Sequence, residues 1–201
     1  MNKHPLFNNV DLNHIKKQLH TKTYNENTLI FSEGEKCNSL GVIISGELTI
    51  STLTNYDKEY TINILGKNDI FGENLLFNED NAYLGDGIIT KESKIIFISK
   101  ELLLELLTNR TFLTNYLSII SKNAMEVRQR LKLLSQKSIS DRILFYLNSE
   151  SKRLGTNIIP IKNKEILANT LNIPRPSLSR ELINLKRNNL IEYDKKTITL
   201  K

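Results

Sequence analysis

The chain has 201 residues, a formal net charge of +6, 39% hydrophobic and 7% aromatic residues, and one cysteine. That length allows one or two domains with a real core. The lone thiol, Cys37, excludes an intrachain disulfide, a multi-cysteine zinc site and an iron–sulfur cluster held by four cysteines of one chain.

The charge is unevenly placed. Residues 1–136 carry 15 Lys and Arg against 16 Asp and Glu, whereas residues 137–201 carry 13 against 6. A near-neutral front and a strongly basic back point to two domains, the second facing a polyanion. A merely solvated lysine surface is the alternative. The N-terminal MNKHPLFNNVDLN has no apolar run of signal-peptide length, and nowhere do 18 apolar residues run together. The expectation is a cytoplasmic protein with no membrane partner.

In chain order, residues 6–20 are mildly amphipathic and predict a short helix. From Thr28 to Ser99 the pattern changes to short β-type runs, TLIF, LGVIIS, ELTISTLT, EYTINIL and SKIIFIS. Turn-prone breaks at SEGEKCNS, SGE, TNYDK and LGKND separate them. Ile43, Ile44, Leu48, Ile50, Ile62, Ile64, Ile95, Ile96 and Ile98 are the core candidates. Short strands at near-regular spacing, with no long helix between them, predict an antiparallel barrel or jelly roll. Lys100–Asn109 reads as a helix.

A longer helix follows over residues 110–135. Its seam, Leu113, Leu117, Ile120, Ala124, Val127, Leu131 and Leu134, is spaced 4, 3, 4, 3, 4, 3 without a Gly or Pro. Such a helix spans about 39 Å. A narrow stripe of that length reads as a homodimer axis; the alternative is a helix whose seam is ordinary core of its own domain. A second stripe, Phe112, Tyr116 and Ile119, is offset and suited to packing on the N-terminal domain.

Past a polar hinge at Ser135–Ser138, a helix begins near Ser138, with Ser138 or Ser140 as its cap. Ile139, Ile143, Leu144 and Leu147 open a second core. Asn163 caps a helix over KEILANTLN that ends at Asn172 or on the approach to Pro174. Pro174-Arg175-Pro176 opens the next helix, with Leu178, Leu182 and Leu185 inward. The tail reads as two strands joined at Asp194-Lys195-Lys196. Two short helices and a β-hairpin are the layout of a winged helix-turn-helix.

The outward face of the second helix holds Arg175, Ser177, Ser179, Arg180, Asn184 and Arg187. Arg can bind guanine O6 and N7 bidentately, and Ser can reach base edges or phosphates. Lys195, Lys196 and Lys164 are placed to meet phosphate. No His falls in the barrel stretch, and no Gly-rich phosphate loop, nucleophile elbow or Cys/His pair appears, so neither a metal site nor an enzyme is expected.

With these residues in view, the chain resembles the Crp/Fnr family of bacterial transcription regulators along nearly its whole length. One motif is Gly34, Gly46-Glu47, Gly66 and Asp69-Ile70-Phe71-Gly72-Glu73; the other is ILANTLNIPRPSLSRELINLKRNNLI over residues 166–191. The resemblance implies an α+β fold in three parts. These are a jelly-roll, cyclic-nucleotide-binding-like sensor domain over 1–109, a coiled-coil dimerisation helix over 110–136, and a winged helix-turn-helix over 137–201. It implies a homodimer on double-stranded palindromic DNA, with activation the family's commoner mode and RNA polymerase a further partner.

In the family's cyclic-AMP-binding members, a Gly-Glu pair is followed about ten residues later by an Arg-Ser that grips the cyclic phosphate. Gly72 and Glu73 match the first pair, while Tyr83 and Leu84 stand at the second. A buried phosphate needs an opposite charge and donors, so usual cyclic-AMP binding is not expected. The effector pocket implied by the motif is lined by Phe71, Gly72, Glu73, Asn74, Tyr83 and Leu84, for an unidentified small molecule or none. Neither haem nor an iron–sulfur cluster is expected, since His4, His14 and His20 precede the barrel and there is one cysteine. Cys37 is either a thiol switch or inert packing.

Arg175 and Arg180 fall at the family's two DNA-contacting arginine positions, whereas Pro176 replaces the acidic residue that many relatives use toward cytosine. The alternative functions are a cyclic-nucleotide-responsive regulator and a ligand-gated interaction module that does not touch DNA.

Overall fold

The computed structural model describes residues 4–12, 15, 18, 19, 21–53 and 59–201. The chain divides into two compact units, Met1–Ser121 and Lys122–Lys201, with the division falling inside the long helix.

The first unit is an antiparallel sheet capped by helix. Its strands are β1 (Thr21–Tyr24), β2 (Leu29–Phe31), β3 (Ser39–Leu53), β4 (Glu59–Gly66), β5 (Ile70–Phe71) and β6 (Asp86–Ser99). The sheet runs β1-β6-β3-β4, with β2 also on β6 and β5 also on β3. The expected break at SGE is not a turn: β3 passes through it as one 15-residue strand. Gly46 absorbs the irregularity at φ +96°, with the Ser93 side chain in the space a Cβ would need. Pairing with β6 shifts register on both sides of it. A β-bulge bends a strand without ending it.

Two more glycines admit aromatic rings. The Phe71 ring fills the place of a side chain on Gly41, and the Phe31 ring fills that of Gly87. Around them Leu40, Val42, Ile43, Leu48, Ile89, Ile95, Ile96 and Ile98 are fully buried. Ile44, Ile50 and Ile62 are half-buried. Ile64, expected in the core, is 58% exposed, because the edge strand β4 turns that side outward. The break expected at TNYDK (residues 54–58) lies outside the described residues.

Of the short helix expected over residues 6–20, the described part holds a 3-10 turn, Pro5–Phe7, and residues 10–12 are non-helical; residues 13, 14, 16, 17 and 20 lie outside the described residues. His14 and His20 lie outside the described residues. Leu6, Phe7, Leu12, Ile15 and Leu19 are nonetheless buried in the first core. His4 Nδ1 accepts from the Leu6 N–H at 3.1 Å, and burial holds the imidazole below its usual pKa.

Helix α1 (Lys100–Leu107) is capped by Ser99, and α2 (Arg110–Leu134) starts where Asn109 accepts from the N–H groups of Thr111 and Phe112. The two stripes of α2 part company as the spacing predicts. Phe112 is fully buried and Tyr116 nearly so, within the first core. Asn115 Nδ2 donates to the carbonyls of Leu6 and Asn8, at 3.2 and 2.9 Å. Of the seam, Leu117, Val127 and Leu131 are 52%, 60% and 63% exposed. Ala124 is also exposed; Leu113, Ile120 and Leu134 are half-buried.

The second unit contains α3 (Ile139–Leu154), β7 (Ile158–Pro160), α4 (Lys164–Leu171), α5 (Arg175–Arg187), β8 (Ile191–Tyr193) and β9 (Thr197–Leu200). Ser138 caps α3 through the Asp141 N–H, and Gly155 ends it in a left-handed conformation. Ile143, Leu147, Leu167, Leu171, Leu178, Leu182 and Ile198 are buried in its core, which Leu133 of α2 also joins. Strand β7 was not expected from the sequence; it pairs with β9, which in turn pairs with β8.

Candidate sensor site and nucleic-acid interface

The segment after β5 builds the sensor motif. Gly72 has φ +82°, and a Cβ there would stand 2.8 Å from Cys37 Sγ and 2.9 Å from the Ser39 carbonyl. Only glycine fits that turn without strain. Its carbonyl then accepts from the N–H groups of Leu75 and Leu76. Glu73 is half-buried; burial first, and the Glu73 charge next, raise the pKa of the Tyr116 hydroxyl on α2. Asn74 is exposed, with its amide 3.5 Å from Glu73 Oε1.

Residues 81–83 lie antiparallel on residues 34–37. The Tyr83 N–H donates to the Glu35 carbonyl and the Gly34 N–H to that of Tyr83, both at 2.9 Å. Neighbouring side chains in extended backbone point opposite ways, and here Tyr83 takes the inside. Its ring stacks on Phe31 at 3.7 Å between centroids and 11° between planes. Phe31 continues to Phe71 at 5.7 Å, and Phe71 meets Phe97 edge-on at 5.9 Å. Burial, and next the neighbouring Cys37, push the Tyr83 hydroxyl pKa upward, so the phenol is neutral.

Leu84, expected in the effector pocket, is 72% exposed. Phe71, Gly72 and Tyr83 do come together, around an aromatic stack and without a cation among them. Cys37 is buried, its thiol donating toward the Ser39 and Gly72 carbonyls.

In the second unit the two-helix motif rests on local chemistry. Asn163 Oδ1 accepts from the Ile166 N–H at 2.8 Å, and Asn172 closes α4 at φ 51°, a left-handed position that Asn tolerates. Pro174 then opens α5. Leu178, Leu182 and Leu185 are buried, which turns Arg175 and Arg180 to solvent and leaves Ser177 and Ser179 half-buried. Arg142 secures the arrangement from behind: its guanidinium donates to the carbonyls of Leu134, Leu171 and Asn172, each at 3.3 Å. Ser140 donates to the Glu181 carboxylate, tying α3 to α5.

Lys195 and Lys196 occupy the exposed hairpin turn. Asp194 shapes it by accepting from the N–H groups of Lys196 and Thr197 at 2.7 Å each, and these bonds hold its carboxyl below the usual range. Lys164 lies 5.0 Å from the Tyr193 ring centroid, and Lys186 lies 5.7 Å from it. Sequence reasoning missed Tyr193 and Arg142, whose partners are remote along the chain. It also missed Glu165, whose Oε2 lies 3.9 Å from Arg175 Nη1. Among the described residues no cluster of His, Cys, Asp and Glu could hold a metal, and no helix is long and apolar enough to cross a membrane.

An antiparallel β unit with a Gly-Glu turn is thus followed by a basic unit that carries a two-helix motif. Residues 21–110 match the cyclic nucleotide-binding domain family. The chain is 26% identical over 192 residues to the anaerobic regulatory protein of Bacillus subtilis, covering 92% of this chain and 81% of that one. The fold is shared with the c-di-GMP-responsive global regulator CLP of Xanthomonas campestris, at TM-score 0.60 and 22% identity over 92% of this chain and 94% of that one. It is shared also with a Crp/Fnr-family chain from Eubacterium rectale, at TM-score 0.56 and 20% identity over 100% and 94%. These likenesses are to regulatory proteins, one of them of the Crp/Fnr family.

Proposed function

We propose that this protein is a homodimeric, sequence-specific regulator that binds palindromic double-stranded DNA and acts in the cytoplasm. In this reading the first unit is a jelly-roll sensor, α2 is a coiled-coil dimerisation helix and the second unit is a winged helix-turn-helix. The observation that carries it is the two-sidedness of α5. One face is buried through Leu178, Leu182 and Leu185, while the other offers Arg175 and Arg180 on a domain of strong positive charge. Lys164, Lys195 and Lys196 supply phosphate contacts, and Ser177 and Ser179 reach base edges or phosphates. Activation, with RNA polymerase as partner, is the mode the family resemblance favours.

The effector is not a cyclic nucleotide gripped in the family's usual way, and no haem or iron–sulfur cluster is required. A cyclic phosphate would meet the apolar Phe31–Tyr83 stack where its arginine partner is expected. Isothermal titration with cyclic AMP is therefore expected to give no saturable heat; a micromolar dissociation constant would overturn this part of the reading. Regulation proceeds by population shift: the sensor's state alters how the seam helices pair, and so whether two copies of Arg180 sit about 34 Å apart, one turn of the duplex.

The test is a gel-shift series on the DNA upstream of the protein's own gene at two salt concentrations. Arg180→Ala should weaken specific binding by about 1–3 kcal/mol and relax preference at one base position. Lys196→Ala should weaken all sequences alike and reduce the salt slope by about 1. If both variants lose only sequence-independent affinity, α5 is not the reading helix.

A further inference from the structure

The ion pair between Glu165 and Arg175 lies in an unexpected place. Glu165 is in the first turn of α4, Arg175 is the first residue of α5, and their side chains are 68% and 65% exposed. A pair so solvated contributes little to stability. A carboxylate on a surface built to meet phosphates also weakens attraction to any duplex. Its effect on Arg175 is therefore the property to consider.

The first turn of α5 has no acidic residue, Pro176 carries neither charge nor N–H, and Pro174 gives no side-chain cap. Arg175 thus stands at the positive end of a helix with no carboxylate in its own first turn to hold it. Left alone, its guanidinium would be drawn to whichever phosphate lies nearest, a contact that carries no sequence information.

We propose that Glu165 is a specificity-determining residue of the DNA-reading surface: by pairing with Arg175 from the preceding helix, it steers that guanidinium away from phosphate and onto the edge of a guanine. One guanidinium nitrogen is engaged by the carboxylate, and the remaining donors of the rigid fork face outward for guanine O6 and N7. The acidic partner that α5 lacks in its own first turn is supplied by α4. This rests on the DNA-binding reading above.

The experiment is selection from a randomised double-stranded DNA library by the full-length protein, its Glu165→Gln variant and its Arg175→Ala variant. The wild-type protein should enrich a motif with a G·C pair at the position whose preference Arg175→Ala erases. Glu165→Gln should raise affinity for unselected DNA while lowering the preference at that same position by about tenfold. A Glu165→Gln variant that changes affinity uniformly and keeps the preference overturns the inference, as does one that alters a different position. A wild-type protein that enriches no sequence at all overturns instead the DNA-binding reading itself, which separates the two failures.

Discussion

Replacing Val127 by glutamate is expected to leave the protein monomeric and to lower its affinity for a palindromic site at least about a hundredfold. Val127 is 60% exposed in the isolated chain and lies midway along a seam with Leu117 and Leu131, which are similarly uncovered. These side chains repeat at heptad spacing on a helix of 25 residues, of which Phe112 and Tyr116 join the first core and Leu133 the second. A second copy of the same helix offers the matching stripe, with the small Ala124 allowing close approach. Two carboxylates facing each other in that seam would be desolvated and mutually repelled. Because the residue touches neither core, both units should keep their fold, and thermal melting checks this. Light scattering after gel filtration reads the oligomeric state, and a gel shift reads the affinity. A Val127→Glu monomer that still gripped the palindrome tightly would remove the dimer axis from the mechanism.

The second unit was legible nearly residue by residue because its boundaries are set by local chemistry. Ser138 and Asn163 cap the helices that follow them, and Asn172 takes the left-handed position between α4 and α5. Strand β7 was not legible, since three residues ending in proline become a strand only through pairing with β9, some 40 residues away. In the first unit the strand content was readable, whereas the continuity of β3 was not. A Ser-Gly-Glu triplet spells a turn unless a distant side chain, here Ser93, settles on the glycine. The motif placed Tyr83 and Leu84 at the sensor site, but alternation alone does not say which of two apolar neighbours faces inward. The N-terminal stretch read as amphipathic, and its described apolar residues are buried, but residues 5–7 form a 3-10 turn and 10–12 are non-helical. Glu165 beside Arg175 is a contact made by the turn between two helices, invisible at ten residues' separation.

Phe112→Ala is expected to destabilise the first unit by about 3–5 kcal/mol, the range for removing a fully buried aromatic ring. The ring has no solvent exposure, lies 6.1 Å from Phe7 and 6.5 Å from Tyr116, and sits one helical turn before Asn115, Leu6 and Asn8 are joined by hydrogen bonds. Its loss therefore removes the apolar half of the clasp that fixes the N-terminal segment to α2, while the polar half remains. Hydrogen exchange should show amides of residues 4–8 and the first turns of α2 losing protection, with α5 unchanged. Asn115→Ala provides the complementary case: two carbonyls lose a donor, and the expected cost is smaller, about 1–3 kcal/mol. If protection falls equally in α5 after Phe112→Ala, the two units unfold together and the clasp is not a local one. If it falls only in the first unit, the buried stripe is what couples α2 to the sensor. The exposed seam on the same helix then remains uncovered for a second copy.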